Sequence, residues 1–158
     1  MKLQEFVKKN QDTEGTGAFQ LENSKLLDLT VDGDVWIKTG AMVAYTGNIS
    51  FEKKTGGGVM GWLKQQATGE GAATMVASGQ GHVYAADGGK NIHVLELGSG
   101  ESLSVNGNDV LAYESSVDAD IKLMKKMSSR ASGGLFNVHL TGPGFVAFTT
   151  HGSPVVLE

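Results

Sequence analysis

The hydrophobic residues of this chain follow two different periods. Leu3, Phe6 and Val7 are spaced three and four residues apart, as on one face of a helix. From residue 19 onward the period is two, as in residues 27–31, where two leucines and a valine alternate with an aspartate and a threonine. Such alternation is typical of strands with one buried face. We therefore predict a helix or arm at the N-terminus and β structure in the rest of the chain.

Turn signals separate the predicted strands. Asp-Gly at 32–33 predicts a first hairpin, because both central residues of a type I′ turn need positive φ, and Asp-Gly at 87–88 and Asn-Gly at 106–107 predict further turns. Twenty-three glycines against two prolines also favour many tight turns. Short strands at this spacing are typical of a sandwich or barrel. The predicted organisation is an N-terminal helix or arm over residues 1–18 and a single β domain over residues 19–157.

Two segments of the first half of the β domain recur in the second half, in the same order. An internal duplication accounts for this order, because two copies of a β unit can bury their apolar faces against each other. Chance reuse of turn residues is the alternative. The predicted halves are about 19–97 and 98–157. The matching segments are 40–45 with 107–113, and 78–83 with 141–146.

Two glycine-flanked segments interrupt the strand pattern, and each is predicted to be a short helical insert. The first carries large apolar side chains, which either close an open end of the β domain as a lid or dock on a partner protein or an anionic membrane. The second carries a basic cluster without aromatic residues. A solvated helix face explains that cluster better than RNA binding does. The candidate docking residues are Val59, Met60, Trp62, Leu63, Lys122, Lys125, Lys126 and Arg130.

Composition narrows the possible functions. Thirteen basic and seventeen acidic residues give a formal net charge of -4, which argues against a broad, non-specific hold on nucleic acid. The absence of cysteine excludes disulfides, thiolate catalysis and cysteine-ligated metals. No apolar run near the start is long enough for a signal peptide or a membrane span. The expected location is therefore cytoplasmic.

No group of residues in the sequence predicts an active site. The glycine-rich run at 56–61 is followed by Trp62 and Leu63, where a phosphate-binding loop needs Lys and then Ser or Thr. No Gly-x-Ser-x-Gly elbow precedes a helical segment. The histidines stand singly, without a His-x-His pair that would place two imidazoles on one strand face. They are His82, His93, His139 and His151. No catalytic, cofactor-binding or metal-binding residue is predicted.

Five segments occur in order along the chain: Phe19–Ser24, Val35–Tyr45, Gly69–Gly71, Leu135–Asn137 and Thr149–Leu157. Together they resemble the altered inheritance of mitochondria protein 24 family, also called domain of unknown function 124. The resemblance implies an all-β, duplicated double-stranded β-helix or pseudo-barrel, similar to the tryptophan RNA-binding attenuation protein fold. It also implies that an oligomer is common, and it implies no known reaction.

The leading hypothesis is therefore a non-enzymatic β scaffold without a cofactor, which forms a homo-oligomer and presents a surface to a protein or a peripheral membrane partner. Its basis is the strand pattern over nearly the whole chain, without convergent reactive groups. A metal-dependent enzyme of cupin-like shape is the alternative, and an RNA-binding module is the second alternative.

Overall fold

The chain folds into antiparallel sheets, in a computed structural model that describes residues 1–12, 15, 17–53, 74–123 and 136–156. The predicted all-β class is confirmed. No helix in this part of the chain has the length and hydrophobicity to span a bilayer. The elements in chain order are α1 (Leu3–Lys9), β1 (Phe19–Asn23), β2 (Leu26–Lys38), β3 (Met42–Lys53), β4 (Thr74–Ala85), β5 (Asn91–Leu97), β6 (Ser102–Asn106), a 3-10 turn (Gly107–Asp109), β7 (Val110–Glu114), β8 (Asp118–Leu123), β9 (Phe136–Thr141) and β10 (Gly144–Thr150).

The strands form two sheets. The larger sheet has the order β3-β4-β2-β7-β10-β5, with β1 also paired to β2, and the smaller sheet has the order β6-β9-β8. β2 is the longest strand and pairs with β4 from Leu27 opposite Ala85 to Lys38 opposite Thr74. Its later part, from Val35 to Ile37, also pairs with β7. This second pairing joins the first three long strands to the second part of the chain.

The larger sheet curls without closing into a barrel. In β5, the amide of Ile92 donates a hydrogen bond of 2.8 Å to the carbonyl of Ser24, in the turn after β1. Within the described residues β1 nevertheless pairs only with β2, and it has five residues. The predicted pseudo-barrel is therefore open, because no strand ladder in the described part of the chain joins β1 to β5.

Apolar side chains pack on both faces of the larger sheet. Leu29, Ile37 and Leu111 have no exposed surface and lie in the core inside the curl. On the other face, Val146 packs with Leu140 of the smaller sheet. Full burial of one such side chain stabilises a fold by about 1.5 to 3 kcal/mol. The strand alternation in the sequence thus produces two cores, one on each side of the larger sheet.

A row of glycines crosses the three long strands. Gly33 of β2 lies opposite Gly79 of β4, and Gly81 of β4 lies opposite Gly47 of β3. All four have positive φ, from 89° at Gly47 to 152° at Gly81. The predicted hairpin at 32–33 is therefore wrong: the chain continues as one strand, and the glycine allows that strand to bend together with its neighbours.

The second predicted helical insert does not include Lys122. β8 continues to Leu123, with the backbone of Lys122 opposite Asn137 of β9. The two-residue period of the preceding residues extends through this point, and strand pairing outweighs the helical spacing of the nearby methionines and lysines. Residues 124–135 and the whole first insert, within 54–73, lie outside the described residues.

Candidate functional site

A cleft of about 550 Å³ lies between the segment after α1 and the outer face of the larger sheet. Strand alternation explains the sheet side of the cleft. Asp28 and Tyr84 are opposite each other on β2 and β4, with side chains on the face away from buried Leu27 and Leu29. The cleft is lined by Lys9, Asn10, Gln11, Asp12, Glu22, Asn23, Leu26 and Tyr84.

Three carboxylates lie close together here: Asp12 and Glu22 line the cleft, and the buried Asp28 lies beside them. Asp12 follows α1, Glu22 lies on β1 and Asp28 lies on β2, and their nearest oxygens are all within 4.8 Å of one another. Asp12 is exposed, Glu22 is half-buried and Asp28 is 5% exposed. Oxygen ligands at this spacing are of the kind that hard cations prefer. The group contains no imidazole or thiolate, so its chemistry differs from that of a zinc site.

His82 is the hydrogen-bond partner of the buried Asp28 carboxylate. Its Nδ1 lies 3.0 Å from one oxygen of Asp28 and 3.1 Å from the other. A carboxylate and the imidazole that it orients are two of the three members of a catalytic triad. The third member, a nucleophile, must contact the other ring nitrogen. In the described part of the chain, the hydrogen-bond contacts of the His82 imidazole are with Asp28 alone. The pair therefore gives the buried side chain of Asp28 a hydrogen-bond partner.

Tyr84 connects the segment after α1 to β4. Its hydroxyl donates a hydrogen bond of 3.0 Å to Asp12. Burial, which has the larger effect, and this hydrogen bond to Asp12 together raise the pKa of Tyr84 to about 12. The phenol therefore stays protonated at neutral pH, where it acts as a donor and cannot serve as a general base.

A titration of the tyrosines should detect this contact. The Asp12→Asn substitution removes a charge that favours the protonated phenol, so the pKa of Tyr84 should fall from about 12 part of the way toward 10.0, with burial holding it above that value. Tyr113 is an internal reference, because burial raises its pKa to about 12 although a hydrogen bond with Thr74 acts in the opposite direction. Tyrosinate absorbance is the measurement.

A Tyr84→Phe variant assigns the corresponding step in that titration. If Asp12→Asn and the unchanged protein gave the same curve, Asp12 and Tyr84 would not be in contact in solution. The segment after α1 would then not be fixed to β4.

A second polar cluster joins β2, the turn after β4, the 3-10 turn and β10. One oxygen of Asp87 lies 2.9 Å from the Nζ of Lys38, 3.2 Å from the Nζ of Lys90 and 3.1 Å from the hydroxyl of Thr149. Lys90 also contacts Asp109 at 2.9 Å. Burial opposes the charge of Asp87, but the hydrogen bonds from the two lysines outweigh burial and lower the pKa of Asp87 below its ordinary 3.8. These groups neutralise one another and hold distant segments together.

The histidines outside the cleft lie on other elements. Nε2 of His93, on β5, is 2.8 Å from the Thr150 hydroxyl. His139 is half-buried on β9, and His151 is exposed after β10. Within the described ranges, the one set of three ligand side chains close enough to share an ion is the carboxylate group of the cleft, and it includes no histidine.

The structure does not place the predicted docking residues. For Lys122 it gives the backbone position in β8, while the side chain lies outside the description. The other candidates lie outside the described residues altogether. These are Val59, Met60, Trp62, Leu63, Lys125, Lys126 and Arg130.

Sequence reasoning missed the cleft. Alternation placed Asp28 on the polar side of β2, where solvent was the expected neighbour. The side chain is instead buried, because residues after α1 and on β1 cover that end of the strand. The available signal was indirect: a polar segment after a predicted helix must lie against some part of the β domain if it is ordered.

Comparison with known proteins places the chain in one family. A family model described as mitochondrial biogenesis AIM24 matches residues 19–158. Among solved structures, the crystal structure of a Streptococcus pyogenes protein is similar, with a TM-score of 0.61 and 23% identity over 85% of this chain and 63% of that chain. This chain therefore spans less than two thirds of that protein, and at this identity the similarity shows a shared fold alone. No curated protein matches the chain.

Proposed function

The chain belongs to the AIM24 family, and we propose that it is a non-enzymatic β scaffold that self-associates and presents a surface to a protein or a membrane. The family description names mitochondrial biogenesis and no reaction. Two groups of contacts support a structural role: the Asp28 side chain contacts His82, and Asp87 and Asp109 pair with Lys38 and Lys90. The observation that carries the proposal is the exposed edge strand β3.

The strand pairing supports the duplicated architecture of such a scaffold. In the first part of the chain, β4 pairs with β2 and β3. In the second part, β9 pairs with β6 and β8, while β10 pairs with β7 and with β5, which lies just before the predicted boundary at residue 98. Each long strand of the first part thus has two short counterparts. The repeated pairing agrees with the order of similar segments in the sequence.

β3 forms an edge of the larger sheet in the part of the chain that the structure describes. It has twelve residues, and in the described part of the chain it pairs only with β4. Residues 42–51 contain neither a charged residue nor a proline, although charges and prolines are the usual protection of an edge strand. Val43 and Tyr45 are 65% and 50% exposed. A long, uncharged edge with exposed apolar side chains favours pairing with a further strand.

A second copy of β3 is the partner that matches this edge. The other strands in the described residues that pair on one side only, β1, β5, β6 and β8, have five, seven, five and six residues, so none would pair along all of β3. Two antiparallel β3 strands across a twofold axis would cover each other completely. The rings of Tyr45 and Phe51, whose centroids are 5.1 Å apart, would then extend an apolar face across the interface.

Lysines on β3 should weaken self-association. Thr46→Lys combined with Asn48→Lys changes exposed positions on the edge strand and places like charges near each other in a β3 pair. We expect the dissociation constant to rise at least about tenfold. Analytical ultracentrifugation over a range of concentrations is the measurement.

The matched control is Thr30→Lys combined with Gln80→Lys. These positions are exposed on the same sheet face, where Thr30 and Thr46 flank His82 from opposite sides, but they lie on the interior strands β2 and β4. The control makes the same change in net charge and should assemble like the unchanged protein. If the unchanged protein were a monomer at every concentration, self-association would be contradicted. If both variants weakened association equally, the interface would not lie at β3.

A further inference from the structure

The apolar face of α1 has no partner in the described part of the chain. None of the helix residues is buried. Leu3, Phe6 and Val7 lie on one side of the helix, since residues three and four apart are neighbours on a helix surface. They are 76%, 56% and 51% exposed. Three large apolar side chains in one exposed stripe indicate a surface that is covered when the protein acts.

The charge of this segment is opposite to that of the chain as a whole. Residues 1–10 contain three lysines and one glutamate, whereas the whole chain has a net charge of -4. Lys8 and Lys9 form the last turn of α1, and Lys2 is its N-cap. The basic residues therefore lie at both ends of the apolar stripe.

The attachment of this segment to the β domain is also defined. Nδ2 of Asn10 donates a hydrogen bond of 2.8 Å to the carbonyl of Phe6 and ends the helix. Two residues later, the Asp12 carboxylate accepts the hydroxyl of Tyr84 on β4. α1 therefore leaves the sheet from a fixed point next to the cleft, with its apolar stripe still exposed.

We propose that α1 docks the protein on an anionic lipid surface. An apolar stripe with lysines around it is the arrangement of helices that lie in the membrane interface, with apolar side chains among the acyl chains and ammonium groups near the phosphates. Acidic headgroups complement the charge of residues 1–10. One helix of seven residues binds weakly, so the strength of attachment rests on the proposed self-association, which presents several helices at once.

Co-sedimentation with lipid vesicles tests the proposal, using the full chain without an N-terminal tag. Vesicles containing phosphatidylserine should sediment the protein, and vesicles of phosphatidylcholine alone should not. Leu3→Ser combined with Phe6→Ser should weaken binding at least about tenfold, because two of the three apolar side chains of the stripe are lost. Gln4→Ser, on the polar side of the same helix, should bind like the unchanged protein, and added salt should weaken binding by every form.

Three results would overturn the inference. The first is no binding to the vesicles that contain phosphatidylserine. The second is equal binding to both kinds of vesicle, and the third is binding that survives Leu3→Ser with Phe6→Ser. In the last case, loss of binding by Trp62→Ala would assign docking to the predicted insert instead. Because none of the α1 residues is buried, the helix variants should fold normally, and circular dichroism checks this.

Self-association is measured separately in the same samples without vesicles. A monomeric protein whose weak vesicle binding still depends on Leu3 and Phe6 would support docking by α1 while contradicting the proposed oligomer. An oligomer whose vesicle binding is unaffected by the helix variants would support self-association while contradicting docking by α1. The Thr46→Lys, Asn48→Lys variant should bind vesicles more weakly than the Thr30→Lys, Gln80→Lys control, because fewer helices act together.

Discussion

Replacing Gly79 with alanine should destabilise the protein by about 3 to 5 kcal/mol, which is a large part of the stability of a typical domain. Gly79 has a φ of 135°, and a Cβ at this position would lie 2.1 Å from the carbonyl oxygen of Asn48 on β3. That oxygen belongs to the backbone of a paired strand, so relief of the clash requires β3 and β4 to separate. Urea denaturation followed by circular dichroism measures the loss.

Gly88→Ala is the matched control for this prediction. Gly88 also has a positive φ, 55°, but an added Cβ would meet nothing within 4 Å. The control therefore carries only the cost of a left-handed residue, about 1 to 2 kcal/mol. Equal losses in the two variants would show that backbone conformation alone explains the effect, and that the close approach of β3 to β4 does not contribute.

The row of glycines also shows how far local sequence rules predict this fold. Alternation identified β2 and its buried face, because that pattern depends only on nearby residues. The Asp-Gly pair at 32–33 has the same local chemistry whether the chain turns back or bends. Which of the two occurs depends on Gly79 of the neighbouring strand, which lies opposite Gly33 and is 46 residues away in the sequence. A rule that uses only local sequence cannot include that contact.

The cleft shows the same limit for candidate sites. Asp12, Glu22 and Asp28 come from three separate elements, and none of them belongs to a recognisable motif. Their meeting depends on where the segment after α1 crosses the sheet. The sequence shows the amphipathic spacing of residues 3–7, whereas the exposure of its apolar side chains depends on where the helix lies relative to the strands.

Asp87→Ala should lower the free energy of unfolding by about 2 to 4 kcal/mol at neutral pH, because it leaves two partly buried lysines without a shared partner. The side chains of Lys38, Asp87 and Lys90 are 28%, 18% and 16% exposed. The hydroxyl of Thr149, a residue only 1% exposed, also loses its shorter hydrogen bond. Asp109→Ala is the control. Within the described ranges its carboxylate pairs with one lysine, Lys90, and its side chain is 33% exposed, so the expected loss is smaller.

The pH dependence of this difference gives an independent check. The folded state lowers the pKa of Asp87 below the 3.8 expected of the unfolded chain. The stabilisation by Asp87 is therefore fully present above about pH 5 and is lost as the pH falls through the folded-state pKa. The difference in unfolding free energy between the unchanged protein and Asp87→Ala should shrink over that acid range, because a protonated aspartic acid no longer pairs with Lys38 and Lys90. A difference that stays constant there would mean that the carboxylate charge of Asp87 does not stabilise the junction between β2, the turn after β4 and β10.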